Sequence, residues 1–366
     1  MNIDTGRSRR EFMTAPFRHE SSDQEQHDKA NSVEHSCLVH VNRRAMACQF
    51  EVVFNHRDRQ QATEAAVAAL DLVDQYEDQL SVYRSHSELS QLNRNARRQV
   101  VPVEQRLFHL LKLSIELHDL TDGAFDITST PLSNLWGFSR GEGQLPSDDD
   151  IQSCLDRIGS KYLEMDDGYN GVQFAHPELE INLNGIGKGY TLDRCREYLV
   201  DEGIDDFLLQ GGRSSVIAVG SRNGSTREQD GWKIALRHPL RPDERILEFD
   251  LVDAALGTSG SATQCFYVQG KRYGHILDPR SGWPATGVLS ATVLAPEAAL
   301  ADALSTSFYV MGPSQAMAFC SGRPDLAAIL IVPGDRAGGI SAHIIGIPDD
   351  HVHLCARTSF PIERHD

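Results

Sequence analysis

The sequence has no C-x-x-C pair, and its cysteines number an odd seven. Neither a zinc ribbon nor a closed disulfide framework is therefore expected. Cys37, Cys48, Cys154, Cys195, Cys265, Cys320 and Cys355 read instead as small core hydrophobes, a usage that fits a reducing compartment. No H-E-x-x-H frame occurs among the 15 histidines, which leaves a zinc-protease reading without support. No run approaches the roughly 18 apolar residues of a membrane-spanning helix. Positive charge is in deficit: 35 Lys+Arg against 52 Asp+Glu give a net charge of −17. That balance argues against non-specific nucleic-acid binding, while leaving room for a local basic pocket. What is present is ordinary for a globular protein: 366 residues, 40% hydrophobic and 24% charged. At roughly 100–200 residues per domain, this is one large domain or two intimate ones.

The first 38 residues read as an irregular, charged extension. They include Ser8-Arg9-Arg10-Glu11-Phe12-Met13, which looks like a twin-arginine export motif. The apolar stretch that export requires does not follow, because the continuation is Thr14-Ala15-Pro16-Phe17-Arg18-His19-Glu20. Cys37 follows polar residues and has no lipoprotein context. A cytoplasmic location is expected, with export as the alternative. Ordered structure is expected from Val39 to residue 347, with a polar tail over 348–366.

Hydrophobic periodicity predicts helices over 61–80, 103–120, 148–158, 190–202 and 298–311. Ser147 is the expected N-cap of the third, and Gly312-Pro313 stops the last. Strand patterns cover 48–54, 179–183, 206–210, 214–219, 232–237, 246–252, 288–295 and 326–332. Cys265–Val268 and Arg272–Ile276 flank Gln269-Gly270-Lys271 as a hairpin. Hairpins mixed with separated helices indicate an α+β fold.

Several segments combine turn chemistry with groups that can face a ligand. Thr121–Leu132 follows a helix end and reads either as a plain turn or as a loop presenting Asp126. Asn182-Leu183-Asn184-Gly185-Ile186-Gly187-Lys188-Gly189-Tyr190 opens a helix. Its glycines permit close backbone approach. The helix N-terminus and Lys188 suit a phosphate, although the Walker A spacing is absent. Gly211-Gly212-Arg213-Ser214-Ser215 fits a bare turn or a ligand-facing one equally well. Gly257-Thr258-Ser259-Gly260 precedes the hairpin, whose second strand delivers His275, an imidazole suited to proton transfer. Asp302 and Thr306 stand four apart on the 298–311 helix and share a face. They form either a polar stripe or two oxygen ligands for a hard cation such as Mg²⁺.

Taken in order, these segments resemble the ApbE family of FAD:protein FMN transferases. The match runs from Met46 through Ser81-Val82-Tyr83, Ser87–Asn93, Gly123-Ala124-Phe125-Asp126, Leu135–Phe138 and the Gly185–Tyr190 turn. It continues through Thr258-Ser259-Gly260, His275-Ile276-Leu277-Asp278-Pro279 and Ala301–Thr306, covering about residues 43–335. The resemblance implies mixed sheets with flanking helices around a flavin-binding cleft. It implies that Met46, Tyr83, Ala124, Phe125, Asp126, Asn182, Lys188 and Ile276 contact FAD. It implies that the Gly185 carbonyl, Asp302 and Thr306 hold Mg²⁺, and that His275 serves catalysis beside Asp302. The implied reaction moves FMN from FAD to a Ser or Thr of a target flavoprotein and releases AMP. An Mg²⁺-dependent FAD pyrophosphatase and a non-catalytic FAD-binding protein are the alternatives. Two departures stand out: the family usually has Asp at the position of Asn182, and often Asp or Asn at that of Arg213.

Overall fold

The computed structural model describes residues 38–222, 231–261, 264–336, 338–348, 351–355 and 360–365; the Ser8–Met13 motif and Cys37 lie outside them. Along the chain, β1 (Val39–Ala45) and β2 (Cys48–Phe54) form a hairpin ahead of α1 (Arg59–Leu80) and α2 (Glu88–Asn95). Then come β3 (Val101–Pro102), α3 (Gln105–Leu120), α4 (Thr130–Leu135), α5 (Asp148–Leu155), β4 (Leu163–Asp166) and β5 (Gly171–Phe174). Helix α6 (Gly187–Asp201) precedes β6 (Phe207–Gly211), β7 (Ser215–Val219), β8 (Trp232–His238), β9 (Arg241–Leu251) and β10 (Ala254–Gly260). A second hairpin, β11 (Cys265–Val268) and β12 (Lys271–Gly274), leads to β13 (Ser290–Ala295), α7 (Ala298–Met311) and α8 (Pro313–Cys320). The chain ends with β14 (Ala327–Pro333), β15 (Ile340–Ile345), β16 (Val352–Leu354) and β17 (Ile362–His365).

The fold is α+β. Its main sheet has nine strands in the order β1-β2-β6-β7-β10-β13-β14-β15-β17. Every neighbouring pair is antiparallel except β15 with β17. Smaller sheets (β16-β9-β8, β3-β5-β4 and β11-β12) complete it.

Local chemistry explains most of these elements. Asp58 caps α1 by accepting the Gln61 N–H at 3.0 Å. Ala62, Ala65, Ala66, Ala69, Leu70 and Val73 then bury one face of that helix against α6 and the sheet. Ser147 caps α5 as expected, and three aspartates in its first turn complement the helix dipole. That helix ends at Leu155, short of the expected 158, and Gly159 takes a positive φ of 129° at the following turn. The Gln269-Gly270 hairpin has positive φ at both residues, as a type I′ turn requires.

Two expectations need correction, and one strand was not expected. Leu179–Leu183 alternates like a strand, and Leu179, Ile181 and Leu183 are buried, yet it joins no sheet. Its extended backbone is paired with a side chain instead. Asn93 accepts the Ile181 N–H and donates to the Ile181 carbonyl, both at 2.9 Å, and Asn182 N–H reaches the Ile127 carbonyl at 2.8 Å. Gly257–Gly260 is part of the central strand β10. A Cβ at Gly257 would sit 2.4 Å from the Ala301 carbonyl group, so this glycine lets α7 lie directly on the sheet. The polar stretch after 347 supplies β16 and β17, which need only pair one neighbour each at a sheet margin.

Helices α6 and α7 touch at their backbones. A Cβ at Gly189 would lie 2.1 Å from the Ala298 carbonyl oxygen. The two helices also cap one another. Asp193 of α6 accepts the N–H groups of Ala298 and Ala299 at 2.9 Å, and Asp302 of α7 accepts that of Gly189 at 2.7 Å. Burial pushes the Asp193 carboxyl up to about 6, against the pull of those two N–H groups and Arg196. Asp193→Ala leaves two buried N–H groups of α7 unpaired and should lower stability by about 2 kcal/mol. The check is a lower urea midpoint at unchanged m-value.

Candidate active site

The centre of the site is the crossing of α6 and α7 over strands β7 and β10. Asp302 is only 5% exposed. One carboxylate oxygen accepts from Gly189 N–H and the other from Ser215 Oγ, each at 2.7 Å. Burial pushes this carboxyl up, and the positive charge of Lys188, the Ser215 hydroxyl and the Gly189 N–H pull it back. One turn along, Thr306 Oγ1 lies 2.9 Å from Ser259 Oγ, which in turn lies 2.9 Å from Ser305 Oγ. Thr306 is also 3.4 Å from the Asp302 carbonyl. The spacing of Asp302 and Thr306 therefore does place both on one polar edge, beside hydroxyls from two strands.

The N-terminal turn of α6 gathers other predicted residues. Gly185 precedes it and faces Phe125, whose ring edge would be 3.2 Å from an added Cβ. Lys188 stands in its first turn, near enough to Cys48 to oppose the upward push that burial gives that thiol. Met46 and Ala47 form the β1–β2 turn with φ of 47° and 58°, a left-handed conformation that non-glycine residues adopt at a cost. Glu77 holds the Met46 N–H at 3.0 Å, and the Met46 sulfur lies 3.9 Å from Thr191 of α6. Asn182 Oδ1 accepts the Asn184 N–H at 2.9 Å. An amide thus makes the Asx turn that a carboxylate would make.

Other predicted residues lie elsewhere or face inward. Ala124 and Phe125 are buried. Asp126 turns its Oδ1 onto Thr128 N–H at 2.8 Å and Thr128 Oγ1 at 2.6 Å. Its other oxygen is 3.5 Å from His118 Nδ1. This carboxylate orders its own loop, which also lines an open pocket of about 440 Å³ with His118, Lys161 and Arg280. Ile276 shares the core that holds Phe125, Ile186 and Leu304. Tyr83 is 80% exposed.

His275 follows β12 and is half-buried beside Phe138. Its Nδ1 is 3.2 Å from the Gln264 carbonyl, which makes Nδ1 the donor and leaves Nε2 as the acceptor of the neutral ring. Burial pulls its pKa below the ordinary imidazole value, and the Gln264 contact opposes this. No hydrogen bond or ion pair joins it to Asp302 among the described residues.

Ser215, Ser259 and Gly189 were not singled out as site residues by sequence. Each sat in a Gly- or Ser-rich segment, and only the packing of α7 reveals its partner. Arg213 is exposed in the β6–β7 turn, and its charge helps to lower the Arg237 pKa. The structure gives Arg213 no contact that explains its departure from the family.

The ApbE family model matches residues 46–330. The chain belongs to the ApbE family. An FAD:protein FMN transferase of Vibrio cholerae is 32% identical over 268 residues, spanning 72% of this chain and 78% of that protein. One from Escherichia coli K12 is also 32% identical, spanning 68% and 70%. Among solved structures, the ApbE protein of Thermotoga maritima superposes with a TM-score of 0.72 at 28% identity, covering 81% of this chain and 94% of its own. The flavin transferase ApbE from Vibrio cholerae gives 0.71 at 28% identity, covering 84% and 96%. The ApbE fold thus accounts for nearly all of the described architecture.

Proposed function

We propose that the chain is an FAD:protein FMN transferase that uses Mg²⁺. The observation that carries the metal part is Asp302: a buried carboxylate among oxygen donors, with each oxygen accepting one protein hydrogen bond. A carboxylate has about four lone-pair sites, so acceptor capacity remains. The Thr306, Ser259 and Ser215 hydroxyls add hard oxygen donors, the chemistry that Mg²⁺ prefers. Asp302, Thr306 and the Gly185 carbonyl are the proposed ligands. When bound, Mg²⁺ offsets negative charge on the pyrophosphate as its bond to AMP breaks.

The chain's own residues supply the rest. The Lys188 ammonium and the positive end of the α6 dipole favour the anionic pyrophosphate of FAD. The Met46, Phe125, Asn182 and Ile276 segments border the same helix or share its core and position the flavin nucleotide. The target's Ser or Thr oxygen attacks the FMN phosphorus, the phosphorus–oxygen bond to AMP breaks, and the hydroxyl proton passes to His275 Nε2. Alignment of the two substrates contributes much of the rate.

The test is FAD incubated with Mg²⁺, with and without a target flavoprotein. AMP released only with the target supports the transferase. AMP and free FMN without it make the protein a pyrophosphatase, and no turnover despite FAD binding makes it a carrier. His275→Ala should slow AMP release by roughly 10²–10⁴-fold. In the parent, activity should fall as pH drops below the ordinary imidazole pKa of about 6.5, because protonation fills the acceptor nitrogen. Since burial lowers the His275 pKa, half-maximal activity should lie on the acid side of that value. His275→Ala should lose this limb of the pH–rate profile.

A further inference from the structure

Far along the main sheet from α6, the parallel pair β15–β17 brings three metal-ligating side chains to one place. His343 is directly opposite Glu363, and Ile345 is opposite His365. Glu363 and His365 are two apart on one strand, so they share a face, and His343 points to that face as well. The ligand atoms of all three lie within 4.8 Å of one another. His343 Nδ1 is 3.2 Å from His365 Nε2 and 3.4 Å from Glu363 Oε2. Donors about 2.0–2.1 Å from a tetrahedral zinc are about 3.3 Å apart along each edge, so two of the three separations already match. We propose that His343, Glu363 and His365 form a binding site for a divalent transition metal of the zinc type.

The donor set separates this site from the one at Asp302. Two imidazoles and a carboxylate suit Zn²⁺, whereas Mg²⁺ prefers oxygen donors alone. Glu363 is 61% exposed and His343 only 17%, which gives the site a largely buried imidazole on the sheet and an exposed carboxylate at its mouth. The fourth position faces solvent and takes water. The two rings are nearly parallel, at 10°, with centroids 5.5 Å apart. Their facing nitrogens are close enough to share one proton, so proton and metal compete for the same lone pairs, and binding turns the rings until both nitrogens converge. The metal joins β17 to β15 through side chains and ties the last strand to the sheet.

The test uses the full chain after treatment with a chelator, dialysed against micromolar Zn²⁺ in excess Mg²⁺, with bound metal measured by mass spectrometry. One tight equivalent is expected, together with a higher Tm in Zn²⁺. His365→Ala and His343→Ala should each weaken zinc binding by more than about tenfold, since even an outer partner of a ligand is worth that much. Glu363→Ala, on an exposed side chain, should weaken it without threatening the fold. His365→Ala should leave AMP release from FAD unchanged, so this result is independent of the transferase reading. Failure of the parent to retain zinc would overturn the site. So would equal retention by both histidine variants, and the pair would then be an imidazole–imidazole hydrogen bond only.

Discussion

Asp302→Ala should lower AMP release by roughly a thousandfold. A metal ion supplies several kcal/mol of charge stabilisation in such reactions, and each 1.36 kcal/mol is about tenfold in rate. The variant removes the buried carboxylate that faces β7 at the α6–α7 crossing and leaves Gly189 N–H and Ser215 Oγ without their acceptor. The loss of that cap is partly offset, because burial already opposes the charged form of Asp302. Circular dichroism should therefore show a folded protein, as Ala is also the better helix former. FAD affinity, read from flavin fluorescence, should fall far less than turnover, since the proposed flavin contacts lie on other segments. Thr306→Ala should act in the same direction but more weakly, because a hydroxyl gives a hard cation less than a carboxylate does. The decisive measurement is AMP release against Mg²⁺ concentration. Parental rate and Mg²⁺ dependence in Asp302→Ala would return this helix face to a structural polar stripe.

Gly189→Ala should be the most destabilising of the conservative substitutions. The new methyl would fall 2.1 Å from the Ala298 carbonyl oxygen and 2.7 Å from Ala299 N. Both are backbone atoms of α7, so no side-chain rotation relieves the clash. Overpacking typically costs 1–3 kcal/mol, and a backbone obstacle puts this case at about 3 kcal/mol or more. The helices can separate only by breaking the reciprocal caps at Asp193 and Asp302, so turnover should fall with stability. Gly257→Ala should behave alike, because its Cβ would meet Ala301 of the same helix. Urea denaturation of the two variants checks this; parental midpoints would mean that α7 has room that the close contacts deny. A glycine in the first turn of a helix and one inside a strand are both locally unfavourable. Close contact with α7 is the physical reason for both.

The sequence by itself determined what depends on near neighbours. The apolar spacing of Ala65, Ala69 and Val73 placed α1 to within two residues, and Ser147 marked the start of α5. Ala298–Met311 was bounded correctly because Gly312-Pro313 stops a helix by local chemistry. The ordered motifs from Met46 to Thr306 identified the family, and the helical period put Asp302 and Thr306 on one face. Only the tertiary structure decided what those residues meet. Leu179–Leu183 has a strand's alternation, but periodicity reports burial and not the partner, and here the partner is the side chain of Asn93. Gly257 lay outside every expected strand, because a glycine's sequence context does not reveal the helix pressed against it. The Asp302 partners, Gly189 and Ser215, are 113 and 87 residues away in sequence, and His343 meets His365 through strand register. Such pairings depend on which backbones lie side by side, and no local pattern of residues encodes that distance.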